Sequence, residues 1–250
     1  MPSETFEDLS DAYEAMLDWP KRLANEQGFY RWLFQRVASK SVLDAACGTG
    51  HHAAMFHSWG LRAEGADISQ AMIQRCREHF GESENLRWVV RRFDQPTDQP
   101  GSFDVAICVG NSLALARDTP TVAQAIQQMF HALRPAGAIL IHILNLWHLP
   151  DGPCVWHRCK RTTLPQGDSL IIKGVHRAGK SGYLNLLVSN LATSPPTLRG
   201  DCVPFLGLET TDLEHVAQQA GATHIEFFGS YQRRPYDRQH SQDLIMVAIK

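Results

Sequence analysis

Apolar residues recur along the chain in two rhythms, and each change of rhythm marks an element. Over residues 7–38, Leu17, Leu23, Trp32, Leu33 and Val37 fall at helical spacing, and Pro20 suits the first turn of a new helix. Ser41–Ala45 then reads as a short buried strand. His51–Trp59 reads as a helix closed by Gly60, a residue suited to the left-handed position after a helix. A second strand is expected over Leu61–Asp67, followed by a helix capped by Ser69 and running to Phe80. Leu86–Arg91 and Phe103–Val109 supply the third and fourth strands. The fourth is almost continuously apolar, as a strand covered on both faces must be. Thr119 or Thr121 opens a helix to Leu133, Arg134–Gly137 reads as a turn, and Ala138–Leu144 as a fifth strand.

Strand and helix alternate from 41 to 145. That alternation implies a parallel sheet with helices on both faces and ligands at the carboxyl ends of its strands. From 150 to 208 helical spacing disappears. Leu170–Arg177 and Tyr183–Ala192 flank Ala-Gly-Lys-Ser-Gly, a hairpin turn, and Val203–Leu208 reads as a further strand. A helix over 210–220 and strands over 223–228 and 244–249 complete the pattern. The expected fold is α/β: a doubly wound, mostly parallel, seven-stranded sheet with an antiparallel β insertion after strand 5. The expected organisation is a helical segment over 1–40, a core of 41–149 with 209–250, and an insertion over 150–208 that covers a substrate or makes a subunit contact.

Composition narrows the function classes. An apolar fraction of 44% in 250 residues supports a real core, and a formal charge of −2 gives no global attraction to nucleic acid or an acidic membrane. Two basic runs, His157-Arg158-Cys159-Lys160-Arg161 and Arg233-Arg234, read as solvated faces before phosphate sites. The six scattered cysteines and the lack of a leader pattern at Met1 fit a reduced, cytoplasmic chain. Cys154, His157 and Cys159 lack a second pair at zinc spacing, so no metal is expected. The longest apolar run, Ala138–Leu149, is broken by His142, Asn145 and His148 and is too short to span a bilayer.

The chemistry concentrates in Val42–His52, VLDAACGTGHH. A glycine loop after a first parallel strand sets backbone N–H groups at a helix N-terminus, and Gly48 and Gly50 let a ligand approach closely. Glycines alone do not distinguish cofactors. Asp44 does: a carboxylate just before the loop repels a pyrophosphate but suits a ligand with an ammonium and a sulfonium. It therefore favours S-adenosylmethionine over a dinucleotide. Asp67, at the end of the second strand, suits both ribose hydroxyls. Asp94 suits an adenine amino group, with Phe93 beside the ring, ahead of the competing reading of Asp94 as a turn residue before Pro96.

VLDAACGTG, EGADIS, RRFD and FDVAICVGNSLA, in this order, resemble the class I S-adenosylmethionine-dependent methyltransferases. The resemblance covers 41–145 and extends to the last two strands. It implies a Rossmann-like fold, S-adenosyl-L-methionine as cofactor and S-adenosyl-L-homocysteine as product. Carried onto this sequence, it implies cofactor contacts from Asp44, Ala46, Gly48, Gly50, Asp67, Ile68, Met72, Phe93, Asp94, Val109 and Leu113. Val109-Gly110-Asn111-Ser112-Leu113 is more narrowly similar to a segment of glycine and sarcosine N-methyltransferases. In those enzymes an N-terminal segment folds over the cofactor, which adds Tyr13, Trp19 and Arg22, the last as partner of the cofactor's carboxylate. One departure stands out. Those enzymes hold the substrate carboxylate with an arginine just after the fifth strand, and His142–Trp147 contains none.

The expected reaction is methyl transfer to a small-molecule acceptor, with an amine or amino-acid-like nitrogen ahead of an oxygen. The chain then provides proximity and orientation. Asn111, Asn145 and His148 are the candidates for acceptor contact, His148 as the base to test. His142, inside an apolar strand, reads as a satisfied core histidine, and Trp147 and Tyr231 as packing or as walls for a cationic substrate. A homo-oligomer through the insertion is left open, and no nucleic-acid or membrane partner is expected. The competing readings are a non-catalytic adenosyl-binding module and an NAD-dependent oxidoreductase. Asp44 and the absence of a Tyr-x-x-x-Lys pair stand against the latter. A thiophilic acceptor at Cys154, Cys159 and Cys202 is the remotest.

Overall fold

A computed structural model describes Asp11, Ala12 and residues 14–250. In chain order the elements are α1 (Trp19–Arg36), β1 (Ser41–Asp44), α2 (His51–Ser58), β2 (Arg62–Asp67), α3 (Gln70–Phe80), β3 (Leu86–Val90), β4 (Phe103–Cys108), α4 (Thr119–Ala132), β5 (Leu133–Leu144), β6 (Val155–Leu164), β7 (Gly167–Ala178), β8 (Ser181–Asn190), β9 (Thr197–Leu206), α5 (Thr210–Gln219), β10 (His224–Phe228) and β11 (Asp243–Ile249). The chain divides into two units: Leu23–Asn145 with Leu208–Lys250, and the residues up to Arg22 with Leu146–Gly207. The N-terminal segment therefore does not stand alone; its first part groups with the insertion.

The larger unit is built on a seven-stranded sheet in the order β10-β11-β5-β4-β1-β2-β3. All strands run parallel except β11, which is antiparallel to both β5 and β10. This is the doubly wound α/β sheet that the apolar rhythm predicts. Every residue of β1 and β4 is buried, which explains their lack of polar alternation. Strand order reverses between β1 and β4, so the crevice at their carboxyl ends is the switch point where open α/β sheets bind ligands. On one face, Phe29, Tyr30 and Leu33 of α1 pack with Phe56, Val105, Ile107 and Val247. Further along the same face, Trp88 is 2% exposed and packs with Ile73, Cys76 and Leu86.

The opposite, amino ends of the central strands are fastened by Asp104. Its carboxylate accepts from the Lys40 N–H at 2.6 Å, the Ser41 N–H at 2.8 Å and the Ser41 hydroxyl at 2.9 Å, and it pairs with Arg134. Arg134 also donates to the Val37 carbonyl. Burial works against the charge, but Arg134 and the N–H groups hold the acid below its ordinary value.

Three expectations change. Arg134–Gly137 is not a turn but a bulge within β5, where the β4 register jumps from Phe103–Leu133 to Val105–Ala138. Pro135 has no N–H to offer a ladder, and Ala136 is left-handed at φ 61°. Asp118, not either threonine, caps α4, accepting from the Thr121 N–H at 2.8 Å. The insertion holds four strands rather than three, because the polar run Val155–Leu164 forms β6 and β9 begins at Thr197.

The smaller unit is the antiparallel meander β6-β7-β8-β9. Leu164, Ile171, Leu186 and Val188 cluster with Ala12 and Met16. The β7–β8 hairpin closes on Gly179 and Lys180; Gly179 at φ 60° supplies the backbone a type II′ turn needs. Among the described residues no helix is long and apolar enough to cross a membrane.

Asp104→Ala should lower stability by about 3 kcal/mol, because it strands a guanidinium and two N–H groups. The folded acid is depressed, so its stabilisation is complete above the ordinary carboxylate value and is lost as pH falls through the lower one. Asp104→Asn should therefore flatten the acid limb of a Tm-against-pH curve; an unchanged limb removes Asp104 as the anchor.

Candidate active site

β1 ends on Asp44, whose side chain is buried, with its Oδ1 accepting from the Ala46 N–H at 3.4 Å. The loop that follows is tied on both sides. The Ala45 N–H donates to the Ile107 carbonyl of β4 at 2.8 Å, and the Cys47 N–H to the Ala66 carbonyl of β2 at 2.9 Å. Its two glycines do different things. Gly48 lies at φ +53°, and a Cβ there would meet nothing within 4 Å, so this part of the loop is open to a ligand. Gly50 lies at φ +83°, but a Cβ there would come within 2.7 Å of the Trp88 ring and 2.8 Å of the Cys76 sulfur. The expectation that Gly50 admits a ligand is thus corrected: it admits the indole beneath the loop. Gly65 is bare for the same reason, with the Trp88 ring 2.5 Å from where its Cβ would be. The Cys47 thiol is pushed up by burial and by Cys76 beside it, so it stays protonated.

Asp67 organises the loop from β2. Its Oδ2 accepts from the Gly48 N–H and its Oδ1 from the Ser69 N–H, both at 2.9 Å. Burial raises its pKa despite these donors. Ile68 beside it is 47% exposed, an apolar surface at the mouth of the crevice. Met72 follows in the first turn of α3, where the Ser69 hydroxyl accepts its N–H. Asp94 forms a two-point pair with Arg92, at 2.8 and 2.9 Å, which holds its carboxyl below the ordinary range. Its carboxylate faces a guanidinium rather than standing ready for an adenine. Phe93 lines a cavity of about 10 Å³ with Leu43, Ala45 and Met129.

At the end of β4, Val109 and Leu113 are 4% and 0% exposed, so their side chains belong to the core and only their main chain is available to a ligand. Asn111 takes φ 72°, uncommon for a residue with a side chain. Its N–H donates to the His142 carbonyl at 3.1 Å, and its Oδ1 accepts from the Leu144 N–H at 3.0 Å. His142 accepts the Gly110 N–H on Nδ1 at 3.1 Å, which leaves the proton on Nε2 for Asp243 at 3.1 Å. It is a strap across β4, β5 and β11.

Asn145 donates from Nδ2 to the carbonyls of Arg238 and Ser241, at 2.9 and 2.7 Å, and accepts from the Tyr236 hydroxyl at 3.0 Å. Both donors that would hold a substrate are committed to the 229–242 loop. Burial, helped by Glu209, pushes the Tyr236 phenol up to about 12. Trp19, Arg22 and His148 lie in the smaller unit. The Arg22 guanidinium stands 5.0 Å over the Trp19 ring, the Trp19 N–H donates to Glu14, and His148 is exposed on a 3₁₀ turn over Leu146–His148. Tyr13 lies outside the described residues. Sequence reasoning missed the buried pair of His52 Nε2 and Glu26 Oε2, 2.7 Å apart, where Tyr30 also donates to Glu26 at 3.1 Å. The second histidine of GTGHH, on a buried helix face, was the available signal.

The family described as methyltransferase domain matches residues 42–137, which run from β1 into the start of β5. Residues 42–137 form a methyltransferase domain. The chain is 28% identical over 154 residues to a glycine/sarcosine N-methyltransferase of Parasynechococcus marenigrum, covering 60% of this chain and 54% of that one. It is 25% identical over 166 residues to the human glycine N-methyltransferase, covering 58% and 56%. The chain thus spans about half the length of the curated relatives it matches. Among solved structures, a Clostridium acetobutylicum S-adenosylmethionine-dependent methyltransferase superposes with a TM-score of 0.75 at 12% identity, covering 98% of this chain and 97% of that one. An amino pentose methyltransferase from Micromonospora echinaspora, solved with S-adenosylmethionine bound, gives 0.72 at 15% identity, covering 100% and 98%. At such identities these two show the fold alone.

The two loop glycines should separate on substitution. Gly50→Ala should cost at least about 2 kcal/mol of stability through the Trp88 clash and the left-handed φ. Gly48→Ala should cost only about 1 kcal/mol, for the φ alone, yet obstruct the open side of the loop. Thermal melts beside S-adenosylhomocysteine titrations check this; equal melts for the two variants would remove the division of roles.

Proposed function

We propose that the protein transfers the methyl group of S-adenosylmethionine to a small-molecule acceptor, through an amine or amino-acid-like nitrogen. The observation that carries this is the pairing of Asp67 with the open glycine. A carboxylate already hydrogen-bonded to the Gly48 N–H stands at the strand end with lone pairs left for two ribose hydroxyls. Asp44 adds buried negative charge for the cofactor's cationic end, where a pyrophosphate would be repelled. Ile68 offers an apolar surface to the adenine, with Met72 and the backbone of Ala46, Val109 and Leu113 around it. Arg22 suits the cofactor's carboxylate. The glycine/sarcosine N-methyltransferases among the relatives support a nitrogen acceptor.

The cofactor, when bound, supplies an electrophilic methyl on a sulfonium. The chain's own work is placement. Asn111 has its Oδ1 taken by the Leu144 N–H, and its amide nitrogen is the group assigned here to the acceptor. Asn145 acts one step back, fixing the 229–242 loop. A neutral amine attacks without a strong base, and His148 is the side chain offered for taking the proton afterwards.

A calorimetric titration with S-adenosylhomocysteine, with NAD as control, tests the reading. Binding of the first alone, followed by turnover of an amine with labelled methyl donor, supports it; binding of NAD alone overturns it. Asp67→Ala should weaken S-adenosylhomocysteine by roughly tenfold or more, since two hydrogen bonds to a charged acceptor are lost. Only the ionised acid accepts both hydroxyls. Affinity should therefore fall on acidification at a pH above the ordinary carboxylate value, because burial raises this acid. Affinity that is flat down to that value would take Asp67 out of the site.

A further inference from the structure

The His142 strap ends on a carboxylate that stays partly open. Asp243 begins β11, and β11 runs antiparallel to β5, so its first residue lies at the carboxyl end of β5. There Asp243 stands in register with Leu144, whose N–H donates to the Asn111 Oδ1 at 3.0 Å. A short row thus joins Asn111 past the end of β4, Leu144 at the end of β5 and Asp243. His142 donates from Nε2 to the Asp243 Oδ1 at 3.1 Å, yet the Asp243 side chain is still 26% exposed. One imidazole N–H takes one of the roughly four lone-pair positions of a carboxylate.

The charge of Asp243 is met differently from that of its neighbours. Glu64, Asp94, Asp104 and Glu209 of the larger unit each pair with an arginine. Among the described residues Asp243 has an ion-pair contact with His142 and with no arginine or lysine. A part-buried carboxylate without a fixed cation favours the arrival of a mobile one. The surroundings are held firmly. The Tyr231 ring lies 5.3 Å from the His142 ring and packs on Phe29 and Tyr30. All of these groups belong to the larger unit.

We propose, resting on the methyl-transfer reading above, that Asp243 receives the amino group of the methyl acceptor, and that this acceptor is an alkylamine, a cation in neutral solution. The amine enters as an ammonium and gives one proton to water. Its lone pair then forms the N–C bond while the C–S pair stays on sulfur, and the methylated nitrogen carries the positive charge away. A carboxylate fixed beside that nitrogen stabilises the charge as it arrives. Tyr231 adds a ring beside the same cation. The lack of an arginine over His142–Trp147 fits, because the charge to be met at this strand end is positive.

The test follows the nitrogen-labelled full chain by NMR as n-propylamine, and then n-propanol as its uncharged analogue, is added with and without saturating S-adenosylhomocysteine. Saturable shifts of the Gly110, Leu144 and Asp243 amides are expected with the amine and not with the alcohol. Asp243→Asn keeps an oxygen for the His142 N–H and removes the charge. It should therefore hold the parent Tm and S-adenosylhomocysteine affinity while amine affinity falls about tenfold or more. Glu214→Gln removes an equal charge from the exposed side of α5 and should leave amine binding intact. No saturable amine binding, equal binding of the alcohol, or unchanged amine affinity in Asp243→Asn overturns the proposal. So does a fall of Tm and S-adenosylhomocysteine affinity in step with the amine, since Asp243 is then a strut for His142 alone. Failure of S-adenosylhomocysteine to bind the parent protein would sink the methyl-transfer reading, while the amine titration without it still decides whether Asp243 binds an amine.

Discussion

A strand buried on both faces can carry chemistry only at its ends. β1 and β4 are such strands, and the rest of the larger unit follows from that constraint. Their side chains are consumed in packing against helices on either side, so polar groups gather beyond them. At the amino ends a single carboxylate, Asp104, collects donors from two stretches of chain and fastens the strands. At the carboxyl ends Asp44 and Asp67 stand in a crevice opened by the reversal of strand order. The two ends use the same chemical group oppositely. One carboxylate is saturated by its neighbours and stabilises the fold. The other, Asp67, is kept against its burial and retains capacity to bind.

The loop between these strands is pre-shaped rather than soft. Its N–H groups are tied to β2, to β4 and to Asp67, and a tryptophan fills the space below it. Binding then demands little ordering of the chain, which saves conformational entropy at the moment of association. Asn111 and His142 extend this rigidity to the next strand ends, which they lash together across β4, β5 and β11.

Much of this was legible in the sequence because it is local. Alternation of strand and helix, an acid before a glycine loop and an acid after the next strand are short-range patterns. The parallel sheet, the Ser69 cap and the Gly179 hairpin turn all read directly. What did not read was non-local. The purpose of Gly50 depends on Trp88, which is distant in sequence and arrives from β3. Asn145 looks like a substrate ligand until the 229–242 loop folds back onto it. β6 was missed because its residues are polar on both faces, so no apolar period marks it. Arg134–Gly137 carries true turn chemistry that the sheet absorbs as a bulge.

The place of β11 has a consequence for biosynthesis. β11 lies between β5 and β10, and Asp243 at its start holds His142, which in turn holds Gly110 at the end of β4. The loop that Asn145 fixes is also made late. The crevice side of β4 and β5 is therefore left unfinished on the ribosome while the whole antiparallel insertion is being synthesised. At ordinary elongation rates that interval is roughly 3–12 s. Through it β5 presents a bare, apolar edge, the kind of surface that nascent-chain chaperones cover and that pairs wrongly when they do not.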